Sequence, residues 1–349
     1  MSDKDELSKI DREIIRLVSR RAGLYVEALK KLPPEEAFDA AHRGRTFALI
    51  DEMNPSPLTP GIMKKMYLEL FSGCLAAISP VTVAFLGPEG TFTGIAVHEF
   101  LGESIEGLPQ RTIQDVFRKV EAGAARFGVV PVENSTEGSV TYTLDELVET
   151  SLQILSERYV RITYSLLSRE KDSAAITRVY SHPQSLGQCK AWLRANLPGV
   201  AVEAADSTST AAEIASREAG AAAIASSNAG ALYGLNTLAS MLEDSRQNYT
   251  RFFLVGNGAP EPTGSDKTSI VCAVKDSPGA LLALLTPFSN AGINMMKIES
   301  RPDKKKIWEY NFFIDFAGHR DDAAIRDALE KMRREAIFLK ILGSYPAGG

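Results

Sequence analysis

Cysteine is scarce in this chain of 349 residues. Cys74, Cys189 and Cys272 are odd in number and far apart, showing neither a disulfide framework nor the short spacing of metal ligands; they read as buried free thiols, and no metal is expected. Charge of one sign is also lacking: a formal net charge of -5 argues against a broad footprint on nucleic acid or an anionic membrane. No apolar run approaches the roughly 18 residues that a membrane helix needs. The charged start, Met1-Ser2-Asp3-Lys4-Asp5-Glu6, has no signal-peptide core, so a cytoplasmic protein is expected.

What is present suffices for two or three domains with real cores. Residues 1–79 read as an all-α module. Leu7, Ile10, Ile14, Leu17, Val18 and Leu24 recur at helical spacing, Pro33-Pro34 stops that helix, and Pro55, Pro57 and Pro60 separate a second from a third carrying Met63, Met66, Tyr67 and Leu70. So short a module buries little alone, and its apolar faces predict pairing with another copy. From Ser79-Pro80 onward β-rich runs alternate with helices. Strands are expected over 81–86, 127–132, 176–181, 200–205 and 221–225, helices over 94–101, 183–197 and 210–218, a capping box at Thr112-Ile113-Gln114-Asp115, and a long β stretch over 154–167. The pattern predicts parallel sheets in a bilobed α/β domain over 80–257, with lobe 1 at 80–158 and 242–257, lobe 2 at 159–241, and a cleft between them. A Gly- and Pro-rich linker over 257–267 leads to β-α-β-β-α-β over 267–345, a ferredoxin-like α+β domain. Within it Trp308-Glu309-Tyr310-Asn311-Phe312-Phe313-Ile314-Asp315 alternates like a half-exposed antiparallel strand.

Polar groups gather where strands end. Gly87-Pro88-Glu89-Gly90-Thr91-Phe92-Thr93 joins a strand to a helix, where N–H groups and the helix dipole favour an anion, although tight turns use Gly and Pro anyway. No Lys follows its second Gly, so it is not a nucleotide-binding P-loop. Glu133, Asn134 and Ser135 offer carboxylate, amide and hydroxyl at another strand end, or else an N-cap cluster. His182-Pro183-Gln184 starts a helix on which Gln184 and Gln188 share a face; His182 is either a base or a turn residue. Ser207-Thr208 repeats the geometry. In Asn248-Tyr249-Thr250-Arg251-Phe252 a hydroxyl and a permanent cation stand at the mouth of an apolar strand, both expected to reach the cleft.

These blocks, in this order, resemble prephenate dehydratase over residues 81–343, and Gly279-Ala280-Leu281-Leu282 with Glu299-Ser300-Arg301-Pro302 resemble the phenylalanine-binding segments of its ACT regulatory domain. The resemblance implies a periplasmic-binding-protein type II-like catalytic domain that expels the ring hydroxyl and CO2 from prephenate, leaving phenylpyruvate, with no cofactor. It implies Thr250 on the leaving oxygen, Arg251 forked on a carboxylate, Glu133 or His182 as proton source, and Asn134 beside them. Thr91, Phe92, Ser135, His182, Gln184, Gln188, Ser207, Thr208 and Phe252 are implied to line the substrate. Gly279, Ala280, Leu281, Leu282, Asn290, Glu299, Ser300 and Arg301 are implied to bind phenylalanine as a feedback inhibitor, in a homodimer or homotetramer.

The N-terminal helices resemble the chorismate mutase domain fused to many such enzymes, with Lys4, Arg21, Lys31 and Ser72 at matching positions. His42-Arg43-Gly44-Arg45 stands where an Arg-Glu pair is expected, and Ala76 where a Gln is expected to meet the ether oxygen. Loss of such a donor costs on the order of 10² in rate, so the expectation for this module divides between a mutase and a dimerisation role. Two non-catalytic readings compete for the whole chain: a bilobed small-anion-binding protein, disfavoured by the absent signal peptide, and a ligand-sensing regulator, disfavoured by the absent basic recognition helix.

Overall fold

Helices α1 (Asp3–Leu29), α2 (Ala40–Met53) and α3 (Pro60–Ala76) form the N-terminal module. The structure, a computed structural model, describes residues 3–33, 40–53, 57–302 and 310–348. The expectations that fall on Met1-Ser2, Pro34, Pro55 and Ile307-Trp308-Glu309 lie outside those residues. Leu29 alone is buried along α1, and Leu7, Ile10, Ile14, Leu17 and Leu24 remain exposed. No described helix is long and apolar enough to cross a membrane.

Lobe 1 holds β1 (Thr82–Leu86), α4 (Phe92–Leu101), β2 (Glu106–Gln110), α5 (Ile113–Glu121), β3 (Phe127–Asn134), β4 (Gly138–Ser139), α6 (Thr141–Glu149) and β5 (Gln153–Arg161). Of the expected capping box the N-cap half is formed: Asp115 N donates to Thr112 Oγ1 at 3.1 Å, and the carboxylate of Asp115 accepts from the Thr112 hydroxyl at 2.7 Å. Lobe 2 holds β6 (Ser165–Ser168), β7 (Arg178–Ser181), α7 (Pro183–Gln188), α8 (Lys190–Asn196), β8 (Ala201–Ala204), α9 (Thr208–Ala215), β9 (Ala221–Ala225), α10 (Ser227–Leu232) and β10 (Asn236–Ser240). The chain then returns to lobe 1 as β11 (Tyr249–Gly256). The long β stretch divides into β5 and β6, so the first crossing falls at 162–164.

Both sheets are mixed rather than parallel. The first runs β2-β1-β3-β11-β5 with β11 antiparallel to both neighbours; the second runs β10-β6-β9-β7-β8 with β6 antiparallel to both of its neighbours. A strand that enters from the opposite lobe begins at the cleft edge, so it must run against the strands that end there. The helix expected over 183–197 is broken at Cys189 (φ -114°, ψ 15°). Strand β2, with Gly107 and Pro109, was not foreseen; proline is tolerated because β2 is an edge strand.

The third unit has β12 (Asp266–Ala273), α11 (Ala280–Asn290), β13 (Met295–Pro302), β14 (Tyr310–Ala317), α12 (Ala323–Glu335) and β15 (Phe338–Pro346), in sheet order β13-β14-β12-β15. This is the ferredoxin-like order. Its helices pack on one sheet face through Leu284, Phe288, Ile325, Leu329 and Met332. Its other face joins lobe 1: Val271, Phe313, Leu342 and Tyr345 share a core with Val130, Phe253 and Val255. Strands β15 and β5 approach so closely that any side chain at Gly343 would collide with the backbone of Ile154.

Candidate active site

Strand pairing decides which polar groups enter the cleft. Along β11, Phe252 and Leu254 join the core beneath α4, while Phe253 and Val255 join the core shared with the third unit. Thr250 and Arg251 therefore leave the strand on opposite faces. On β3 the register passes from Phe252↔Pro131 to Arg251↔Glu133, so Val132 is the extra residue of a bulge that reverses the strand's facing. Asn134 thereby stands beside Thr250, and Glu133 beside Arg251.

The cleft pair is tightly specified. Asn134 Nδ2 donates to Thr250 Oγ1 at 2.9 Å and to Asn248 Oδ1 at 2.9 Å, while Asn134 Oδ1 accepts from Thr136 N, Thr136 Oγ1 and Glu137 N. A threonine oxygen that accepts from an amide keeps its own proton to give elsewhere. Asn248 Nδ2 donates to Gln188 Oε1 at 2.8 Å, and Gln188 Nε2 donates to Thr136 Oγ1 at 3.0 Å, so an amide relay ties α7 of lobe 2 to the Thr250 site. Tyr164, at the first crossing, donates to the same Gln188 oxygen at 3.2 Å; burial pushes its phenol up to about 12, so it stays a neutral donor. Asn248, Tyr164 and Thr136 were not singled out as site residues; an asparagine two places before the threonine was the available signal.

The lobes also meet at the glycine-rich turn. Ser209 Oγ donates to the Glu89 carbonyl, and Ser226 Oγ to the Gly90 carbonyl at 2.9 Å. Gly90 has φ +78°, and a Cβ there would press on Ser209 Oγ at 3.0 Å and Ala229 Cα at 3.2 Å, so turn and closure both require glycine. Thr91 caps α4, accepting from Gly94 N at 3.4 Å, and Phe92 stands edge-on to Tyr164 with centroids 5.5 Å apart. Ser207 caps α9, accepting from Thr210 N at 2.9 Å, and Thr208 is buried in its first turn. His182 caps α7 through Nδ1, accepting from Gln184 N at 3.4 Å, and Gln184 is exposed. Ser135 is engaged locally, donating to Gln247 O at 2.8 Å and accepting from Tyr249 N at 3.0 Å.

Several expectations are corrected. Arg251 is not a carboxylate fork in the cleft: Nε and Nη2 donate to Glu157 Oε2 at 2.8 and 2.7 Å, Nη1 to Asp315 Oδ2 at 2.6 Å, and Nη2 to Tyr345 Oη at 3.1 Å. Burial opposes its charge, but Tyr345, Asp315 and Glu157 outweigh that and hold it protonated. Glu133 is not poised to protonate a leaving group beside Thr250; it pairs with Lys297 of β13 at 2.7 Å. Phe252 is a core residue beneath α4, not a substrate contact.

Nor are the expected effector-site residues brought together within the chain. Gly279 and Ala280 line a cavity of about 530 Å³ with Lys275, Arg334 and Ile337, whereas Glu299 accepts from Ser139 and Arg301 grips Asp145 at 2.7 Å, both on lobe 1. Leu281 packs on the domain core, and Leu282, Asn290 and Ser300 are exposed. In the helical module Lys4 and Lys31 are exposed. Arg21 lines a cavity of about 500 Å³ with Arg20, Tyr25 and His42, and its two terminal nitrogens have no hydrogen-bond partner among the described residues. Ser72 does not line that cavity; it accepts from Ser104 N at 2.9 Å in the contact with lobe 1.

Comparison with known proteins agrees with this architecture. Residues 83–260 match the family model "Prephenate dehydratase", and residues 268–334 match "ACT domain". The chain is 41% identical over 368 residues to the bifunctional chorismate mutase/prephenate dehydratase of Pseudomonas aeruginosa, covering 99% of each, and 43% identical over 354 residues to that of Aquifex aeolicus, covering 98% of this chain and 96% of the other. The crystal structure of the prephenate dehydratase of Arthrobacter aurescens in complex with L-Phe superposes with a TM-score of 0.71 at 36% identity, over 76% of this chain and 90% of that one. A bilobed α/β domain whose strand-end polar groups meet at a threonine, fused to a ferredoxin-like domain, thus belongs to the prephenate dehydratase family.

Proposed function

We propose that this protein converts prephenate to phenylpyruvate, with Thr250 as the hydroxyl that meets the departing ring oxygen. The observation that carries the reading is the bond from Asn134 Nδ2 to Thr250 Oγ1, which leaves the threonine its own proton to donate. Threonine is a feeble acid, so its part is to orient and to stabilise developing charge, while loss of CO2 and aromatisation drive the reaction. The starts of α4 and α9, each at the positive end of a helix dipole, would receive the two carboxylates in place of Arg251. Glu133 no longer serves as the proton source in this reading.

Incubation with prephenate should yield phenylpyruvate, and Thr250→Ala should lower kcat by about 10²–10³ with far less effect on KM. Unaltered substrate would favour a binding protein instead. Phenylalanine is proposed as feedback inhibitor, as the complex of the Arthrobacter protein with L-Phe suggests, with Gly279 and Ala280 meeting Glu299 and Ser300 across an even-numbered assembly.

A second activity is favoured by Arg21, a residue of the helical cavity whose guanidinium stacks on Tyr25, Tyr67 and Phe71 and whose terminal nitrogens have no hydrogen-bond partner among the described residues, as would suit a dianion such as chorismate. The bifunctional names of the full-length relatives agree with it. Supplying chorismate and detecting neither prephenate nor phenylpyruvate would reject it.

A further inference from the structure

Two adjacent strands of lobe 1 each send one residue to the cleft and the next residue to the ACT domain. Asn134 and Thr250 form the cleft pair; Glu133 and Arg251, the pair one position along, face the ACT sheet. On that side Arg251 and Lys267 are matched by Glu157 and Asp315, with Lys267 Nζ donating to Glu157 Oε1 at 2.6 Å. Ser269 Oγ donates to Asp315 Oδ1 at 2.6 Å and lies 2.6 Å from the Tyr345 hydroxyl, which thus has Ser269 as its acceptor. Glu157 is wholly buried and Arg251 4% exposed, so each charge depends on partners from the other domain. Nearer the surface, Lys297 holds Glu133 at 2.7 Å and Glu299 at 3.2 Å.

We propose that Glu133 and Arg251 are positioning residues through which the ACT domain sets the Asn134–Thr250 pair. A shift of β13 or β14 cannot leave Lys297–Glu133 and Asp315–Arg251 intact without moving the backbone that carries Asn134 and Thr250. Packed charges have discrete arrangements rather than a continuum, so the link is suited to two states. The inference deepens the dehydratase reading by naming the route of its regulation, and it rests on that reading for its kinetic consequence only.

The test alters the ACT side alone, in the full chain, with Lys297→Met and Asp315→Asn. Hydrogen exchange is followed in peptides covering 132–137 and 247–253, with lobe 2 peptides over 221–225 as the control. Exchange at the first two sites should accelerate at least tenfold while the control is unchanged, and kcat should fall at least fivefold with KM within twofold. Phenylalanine should still bind, by calorimetry, yet inhibit at least fivefold less. Exchange at wild-type rates in both variants overturns the link, whatever the activity. A wild-type protein inert toward prephenate rejects the dehydratase reading instead, and the exchange result then decides the link by itself. Should Asp315→Asn unfold, Lys297→Met carries the test, because Lys297 keeps a fifth of its side-chain surface in solvent.

Discussion

Two accessory units grip lobe 1 in physically different ways. The ACT domain docks behind the catalytic strands through a buried cluster of two cations and two anions. The helical module docks at the far end of α4: Arg43 donates to the Phe100 carbonyl, Glu103 N donates to Glu69 at 3.1 Å, and Ser104 N to Ser72 at 2.9 Å. Helix α4 starts at the cleft with its cap Thr91 and runs through Leu101, so ten residues, roughly 15 Å, separate that grip from the chemistry. Burial pushes the Arg43 guanidinium down to about 9, with Arg158 acting in the same direction, so this grip uses a charge that burial disfavours. The comparison shows that one unit is held on the strands that carry Thr250 and Asn134 and the other on a helix end away from them.

The sharpest way to break this contrast is Glu157→Ala. It takes from Lys267 the carboxylate it pairs with and leaves Arg251 with Asp315 in a buried interface, and should destabilise by about 3–5 kcal/mol, read by chemical denaturation. Stability equal to wild type would show the cluster to be idle. Next is Asn248→Ala, which cuts the relay between Gln188 and Asn134; about 1.4 kcal/mol of lost orientation is a tenfold fall in kcat. A change confined to KM would instead make Asn248 a substrate contact. The smallest effect is expected at Ser72→Ala, about 0.5–1.5 kcal/mol of stability with prephenate turnover unchanged. A kcat loss there matching that of Asn248→Ala would erase the distinction between the two grips.

Much of this architecture was legible in advance because local rules carried it. The N-cap at Thr112, the all-helical start and the β-α-β-β-α-β order of the last unit follow from periodicity and turn chemistry. The strand ends were also rightly read as polar: Thr91, His182 and Ser207 all cap helices there. Arg251 was misplaced although the rule that places it was available, since successive strand residues face opposite ways. Glu133 could not have been placed, because its facing depends on the bulge at Val132, and a bulge is a property of the pair of strands.

By itself the sequence determined the kinds of elements, their order and the family, because these depend on spacing, caps and ordered blocks that lie within reach along the chain. Only the tertiary structure decided which side of the sheet each polar residue serves. That choice depends on cross-strand register and on charges brought together from 94 residues apart in Arg251–Glu157 and 64 apart in Arg251–Asp315. A guanidinium next to the cleft threonine in the chain is an interdomain anchor because the carboxylates it pairs with, Glu157 and Asp315, lie behind the strand.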